Sequence, residues 1–212
     1  MSFDTLAPYY RIMEWVTAAG VLQRCRTAFL AETANCRRAL LLGEGPGRFL
    51  VELLRANPRV VVTCVERSPR MIEEAQRGLK ESDLDRVHFV PADALTWQPP
   101  QNKFDLVVTN FFLDCFRRDE LKGLVAKIAA SATTDARWLL ADFREPETGW
   151  RRWRGRAALA LMYGFFRVAT GLSASRLTPP DGFLAAGGFR LAARRLANFE
   201  LAHSDLWLRT AS

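Results

Sequence analysis

The sequence predicts an α/β protein built on a doubly wound, mostly parallel sheet, and three observations carry that prediction. Short apolar runs alternate with segments of helical period along most of the chain. The first run, "RALLL" (38–42), breaks at once into "GEGPG", which puts Gly43, Gly45 and Gly47 within five residues. The tail holds two strand-like runs with little between them, and a pair so closely joined must be antiparallel.

Taken in order, residues 8–33 carry apolar positions at three- and four-residue spacing (Ile12, Trp15, Val16, Ala19, Leu22) and predict one or two amphipathic helices. "RALLL" predicts a buried strand, and "RFLVELLRAN" resumes helical spacing until Pro58. "RVVVTCVE" (59–66) is β-branched and continuous, as a strand covered on both faces should be. "SPRMIEEAQRGLKES" predicts a helix with Ser68 as N-cap and Pro69 in its first turn. "VHFVPAD" (87–93) and "FDLVVTNFF" (104–112) predict the third and fourth strands, "RDELKGLVAKIAASA" a helix, and "RWLLADF" (137–143) a fifth strand. The tail from Pro179 predicts a short helix, a Gly-Gly turn and the antiparallel pair.

The bulk numbers exclude several classes. With 212 residues, 49% hydrophobic and 25% charged, the chain suits one α/β domain without linkers or repeats. The net charge of +7 rests mostly on Arg, with Lys only at 80, 103, 122 and 127; it bears on solubility and non-specific binding more than on fold. Cys25, Cys36, Cys64 and Cys115 are scattered, which speaks against zinc and against a disulfide framework and fits a reducing compartment. His88 and His203 are the two histidines, too few for a His-rich metal centre, so no metal is expected. "MSFDTLAPYYRIMEW" is unlike a signal or transit peptide, and the expected location is cytoplasmic.

A glycine-rich strand–helix turn could serve NAD, FAD, a nucleoside triphosphate or S-adenosylmethionine. Arg48 and Phe49 follow Gly47 where a triphosphate loop needs Lys and Ser or Thr, so that reading fails. Glu66 ends the second strand about twenty residues on, where an acid accepts from ribose hydroxyls. Asp93 ends the third strand, placed to accept from an adenine amino group.

The order of glycine turn, Glu66, Asp93, "FDLVVTNFFLDCF", "WLLADF" and "GFLAAGGFRL" resembles the class I S-adenosylmethionine-dependent methyltransferases over roughly residues 35–210, and "FDTLAPYYR" resembles the N-terminal segment of many small-molecule members. The resemblance implies a Rossmann-like, seven-stranded sheet of order 3-2-1-4-5-7-6 with strand 7 antiparallel. It also implies one domain over 1–212: a helical cover (1–34), a cofactor-binding core (35–143), a helical insertion (144–180) and a C-terminal helix with antiparallel strands (181–212). The implied cofactor is S-adenosyl-L-methionine. Gly43, Gly45 and Gly47 would lie under its methionine part and Glu66, followed by Arg67, would hold the ribose. Asp93 with Ala94 would read the adenine, and Asn110 would line the methyl side. The family usually carries an acid where this chain has Leu41; Glu44 is expected to take over contact with the cofactor's ammonium.

For the acceptor, Asp114 is the expected orienting group or base, and Cys115 is expected to be a buried apolar group. Phe111 and Phe112, with Tyr9, Tyr10 and Trp15 from the N-terminal helix and Trp150 and Trp153 from the insertion, are expected to line the substrate pocket. Asn110 lacks the Pro-Pro-aromatic sequel of enzymes that methylate base amino groups, so a nucleic acid is not the expected partner. The insertion has three readings: a helix packed on the sheet or at a dimer contact, a lid, or a basic, apolar surface through 150–172 that touches a membrane. Its interleaved Arg and Trp could also stack on RNA bases. The expected activity is methyl transfer to a small hydrophobic or aromatic metabolite, by a monomer or homodimer. The alternatives are an RNA or protein methyltransferase and a non-catalytic cofactor-binding protein.

Overall fold

The computed structural model describes residues 19–144 and 177–210. Seven strands form one sheet: β1 (Arg38–Leu42), β2 (Val61–Glu66), β3 (Val87–Pro91), β4 (Phe104–Asn110), β5 (Ala132–Phe143), β6 (Phe189–Ala197) and β7 (Ala202–Arg209). Their order is β3-β2-β1-β4-β5-β7-β6. β7 runs antiparallel to β5 and β6, and the other pairs are parallel. The expected order and the reversed seventh strand are both present.

Among the described residues, six α-helices accompany the strands: α1 (Ala19–Thr27), α2 (Arg48–Ala56), α3 (Pro69–Arg77), α4 (Glu81–Leu84), α5 (Arg118–Ser131) and α6 (Asp181–Ala186). The central strands bury both faces. Leu40, Leu42, Val107, Trp138 and Leu140 pack with Leu121, Leu124, Val125 and Ile128 of α5. Ala39, Leu41, Leu106, Val108 and Leu139 pack with Phe49, Leu50 and Leu53 of α2. That alternation is the period of two that a strand imposes, and it explains why these runs are apolar throughout.

Three polar contacts fix register and termini. The Asp105 carboxylate accepts from the backbone N–H groups of Arg37 (2.7 Å) and Arg38 (2.9 Å), locking the start of β4 to β1. The Ser68 hydroxyl accepts from Met71 N as the expected N-cap. The Arg194 guanidinium clasps Asp205 on β7 (2.8 and 2.6 Å) and reaches Asp181 on α6 (2.7 Å), tying the tail together.

The structure shifts some boundaries. The helix expected over 68–82 divides at Gly78, whose N–H closes on Glu74 and Ala75 carbonyls, and a separate turn of helix follows at Glu81. β5 starts at Ala132 rather than 137, because its first residue pairs with Phe104 before a register shift. Among the described residues no helix is long and apolar enough to cross a membrane, and no group of His, Cys, Asp and Glu is suited to a metal ion. All four cysteines are free.

Candidate active site

The carboxyl ends of β1, β2, β3, β4 and β5 meet along one edge of the sheet, where the strand order reverses between β1 and β4. Ligands of doubly wound sheets bind at such an edge. The glycine turn after β1 puts its three glycines to different uses. Gly43 (φ +63°) lies under the Phe112 ring, which occupies the space a side chain would need. Gly47 (φ +81°) meets α3: a Cβ there would sit 2.9 Å from Ala75 Cβ. Gly45 (φ +63°) faces open space, with nothing within 4 Å of the position a Cβ would take. Only Gly45 therefore leaves a bare cradle for a ligand.

Glu66 sits at the centre of that cradle. Its Oε2 accepts from Gly45 N (3.1 Å) and its Oε1 from Ser68 N (2.9 Å), so one carboxylate joins the glycine turn to the start of α3. Glu44, one residue before Gly45, caps the next helix: its Oε1 accepts from Phe49 N (2.7 Å) and Leu50 N (2.9 Å). Burial raises the Glu44 carboxyl to about 7, against the pull of those two N–H groups and the nearby Arg26. Arg26, itself buried, lies over the Phe111 ring at 5.1 Å.

Asp93 follows β3. Its Oδ1 accepts from Leu95 N (2.9 Å), and its Oδ2 lies 3.6 Å from Arg67 Nη1 in a solvent-exposed pair. Ala94 is buried, and Lys127 of α5 donates to the carbonyls of Ala94 and Leu95, both at 2.8 Å. Burial draws the Lys127 pKa down, and Asp93 opposes it. Lys127 thus anchors the segment beside Asp93, a role with no local sequence signal, since α5 is distant along the chain.

Asn110 closes β4 with its Nδ2 buried and without a hydrogen-bond partner. Phe111 then adopts a left-handed backbone (φ +53°) while its N–H bonds Ala141 O. This strained turn directs the chain into a 3-10 turn at Leu113–Cys115. Asp114 is buried there, and its backbone N–H donates to Asp142 Oδ2 at 3.1 Å. Asp142, at the end of β5, is 1% exposed; burial pushes its carboxyl well above the usual range, and Asp114 pushes it further. Burial likewise raises the Cys115 thiol, whose Sγ donates to Asp114 Oδ1 at 3.6 Å, as an unreactive cysteine requires.

The structure thus brings Gly43, Glu44, Gly45, Gly47, Glu66, Arg67, Asp93, Ala94, Asn110, Phe111, Phe112 and Asp114 to one edge of the sheet. Tyr9, Tyr10, Trp15, Trp150 and Trp153 lie outside the described residues, as do segment 150–172 and most of the insertion. Sequence reasoning missed Arg26, Lys127, Asp142 and His203. Asp142 alone carried a signal, as a third acid ending a strand, in "LLADF".

Residues 39–135 match a family profile described as a methyltransferase domain. The demethylmenaquinone methyltransferase of Deinococcus radiodurans is 30% identical over 149 residues, 69% of this chain and 61% of that protein. The trans-aconitate 2-methyltransferase of Streptomyces coelicolor is 30% identical over 193 residues, 84% of this chain and 60% of its own. The chain spans about three fifths of the length of these two relatives. Among solved structures, the 1,6-didemethyltoxoflavin-N1-methyltransferase of Burkholderia thailandensis, with S-adenosylhomocysteine bound, superposes with a TM-score of 0.67 at 18% identity. That match covers 99% of this chain and 86% of the other. Mitomycin 7-O-methyltransferase gives a TM-score of 0.70 at 20% identity, over 99% of this chain and 61% of that one. These two likenesses concern the fold. Residues 39–135 thus carry a methyltransferase domain, and the two relatives and the shared fold support its placement among the class I S-adenosylmethionine-dependent methyltransferases.

Proposed function

We propose that this chain transfers a methyl group from S-adenosyl-L-methionine to a small hydrophobic or aromatic metabolite. The observation that carries the reading is the Glu66 carboxylate bonded to the amide of Gly45, whose side-chain position is open, with an orphaned Asn110 amide across the same edge. The residues fit the cofactor. Glu66 accepts from the ribose hydroxyls, Asp93 and the Ala94 backbone meet the adenine, and the bare Gly45 admits the methionine chain. Asn110 Nδ2 donates to the ligand on the methyl side, and Glu44 takes the ammonium. When bound, the cofactor supplies a methyl group activated by a sulfonium sulfur. The protein's part is alignment and exclusion of water. Phe112, packed over Gly43 and edge-on to Phe116 (4.9 Å), supplies an apolar wall for it, and Asp114 orients or deprotonates the acceptor.

A small acceptor agrees with relatives that act on demethylmenaquinone and trans-aconitate by their names. A cytoplasmic location agrees with four free cysteines. The test is transfer of labelled methyl from S-adenosylmethionine into a fractionated cell extract. Label in the low-molecular-weight, solvent-extractable fraction is the expected result. Label confined to RNA or protein would contradict the proposal.

A further inference from the structure

His203 lies at the reactive edge but has no part in the reading above. Its imidazole is 4% exposed, and neither ring nitrogen has a hydrogen-bond partner. An imidazole carries at least one N–H in either of its ordinary protonation states, and an unmet buried donor costs more than a typical hydrogen bond returns. The strand register fixes where this ring stands. His203 of β7 pairs with Asp142, the penultimate residue of β5, so the two side chains share one face of the sheet. Asp142 accepts the Asp114 N–H from the 3-10 turn after β4. On its other side His203 pairs with Leu196 of β6, which is 49% exposed, so solvent comes within one strand of the ring.

Asp205, two residues along β7 and on the same face, stands behind the imidazole with its Oδ2 3.5 Å from Nε2. That carboxylate is 1% exposed and already committed: it accepts from Arg194 Nε (2.8 Å), Arg194 Nη2 (2.6 Å) and Trp207 Nε1 (3.2 Å). Arg194 also reaches Asp181 of α6. The 3-10 turn brings Asp114 and Cys115 to the Asp142 end of the row. Over the same face, Arg118 of α5 lies on the Phe183 ring of α6. The carboxylate behind Nε2 favours the proton on that nitrogen and leaves Nδ1 with a lone pair.

We propose that His203 is the base that takes the proton of a neutral, hydroxyl-bearing acceptor, with Asp205 as the residue that sets its tautomer. This rests on the methyl-transfer reading above and leaves Asp114 the orienting role. The acceptor O–H bond breaks and its proton goes to Nδ1, giving an imidazolium. The electron pair of that bond forms the new oxygen–methyl bond, and the methyl–sulfur bond breaks with its electrons on sulfur. Nε2–H then donates toward Asp205 as a charged group, and the ring returns its proton to solvent once product leaves. Because Arg194 balances Asp205, the carboxylate orients the ring without trapping it as a cation. A phenol or enol suits such a base, since its own ionisation lies within a few pH units of an imidazole. An acceptor that arrives as a carboxylate has no proton to give.

The first readout needs no turnover. The chain has two histidines, His203 and the exposed His88 of β3, so nitrogen-15 NMR with His88→Gln as the assignment control reads His203 alone. The expected neutral ring carries its proton on Nε2 and leaves Nδ1 bare. A neutral ring protonated at Nδ1, or one still doubly protonated at about pH 9, overturns the proposal. The second readout is the initial rate of label transfer from S-adenosylmethionine into the solvent-extractable fraction of a cell extract. His203→Gln should bind S-adenosylhomocysteine as the wild type does and be slower at pH 7 by about 100-fold. That deficit should shrink as pH approaches about 10, where a phenol ionises unaided. A deficit of the same size at every pH marks a merely structural role and overturns the base, as does an undiminished rate at pH 7. Label released by mild base as methanol, the mark of an ester, overturns the acceptor class. If His203→Gln does not fold, the wild-type tautomer decides. No transfer by the wild type, with the tautomer as expected, counts instead against the methyl-transfer reading.

Discussion

The two halves of the site differ in how fully their polar groups are satisfied. On the β1–β3 side, Glu44, Glu66 and Asp93 each accept from backbone N–H groups of nearby turns. On the β4–β7 side, Asp142 accepts from the backbone N–H groups of Asp114 and Phe143, but Asn110 and His203 carry buried polar atoms without hydrogen-bond partners. The first half is organised by the chain itself, since an acid at a strand end finds turn amides as soon as the turn forms. The second half is assembled only by tertiary packing and holds polar groups whose burial is costly until something meets them. The difference separates a turn-built cradle from a packed face that keeps polar atoms unsatisfied.

Breaking the cradle should have the largest effect. Glu66→Ala removes the link between Gly45 and Ser68 and, on the proposed reading, two ribose contacts, and should weaken S-adenosylhomocysteine binding about 100-fold, roughly 3 kcal/mol. Titration calorimetry checks it. Next come the glycines, which separate packing from binding. Gly47→Ala drives a Cβ against Ala75 in a left-handed backbone and should cost about 2–3 kcal/mol of stability in denaturant unfolding. Gly45→Ala has open space and should cost only about 1 kcal/mol of stability while weakening ligand binding at least tenfold.

Glu44 sharpens the comparison through pH. Its folded pKa is raised from 4.5 to about 7, so the stability it contributes is complete below about pH 4.5 and is lost as pH rises through 7. Across that window the wild type should lose about 3 kcal/mol that Glu44→Gln does not lose. If Glu44 meets the cofactor's ammonium, ligand binding at pH 7 releases protons, visible as heats that depend on the buffer, and the variant abolishes that release. The smallest effect belongs to Lys127→Met. It keeps the aliphatic stem but frees the Ala94 and Leu95 carbonyls, and a loss of adenosine-ligand affinity of about 3- to 10-fold is expected.

The same division decides how much could be read from the sequence. Glu66 and Asp93 follow apolar strands by fixed short offsets, so counting along the chain finds them, and the sheet order follows from strand alternation and the closely joined tail. Asp142 and Asp114 meet across 28 residues, and His203 reaches Asp142 only through the β5–β7 register. No local pattern encodes such meetings. Boundaries failed for local reasons. "ATTDA" before Arg137 lacks an apolar run yet begins β5, because pairing with β4 extends it, and Gly78 ends a helix whose apolar spacing runs on. Glu44 was expected only against a ligand, and the structure adds its place as the cap of α2.

Equilibrium binding of S-adenosylhomocysteine to the full chain, with NADH and FAD as competitors, tests the central claim most directly. One molecule bound per chain, undisturbed by either dinucleotide and lost in Glu66→Ala, is the expected result. Saturable binding of NADH or FAD with no heat from S-adenosylhomocysteine would contradict it.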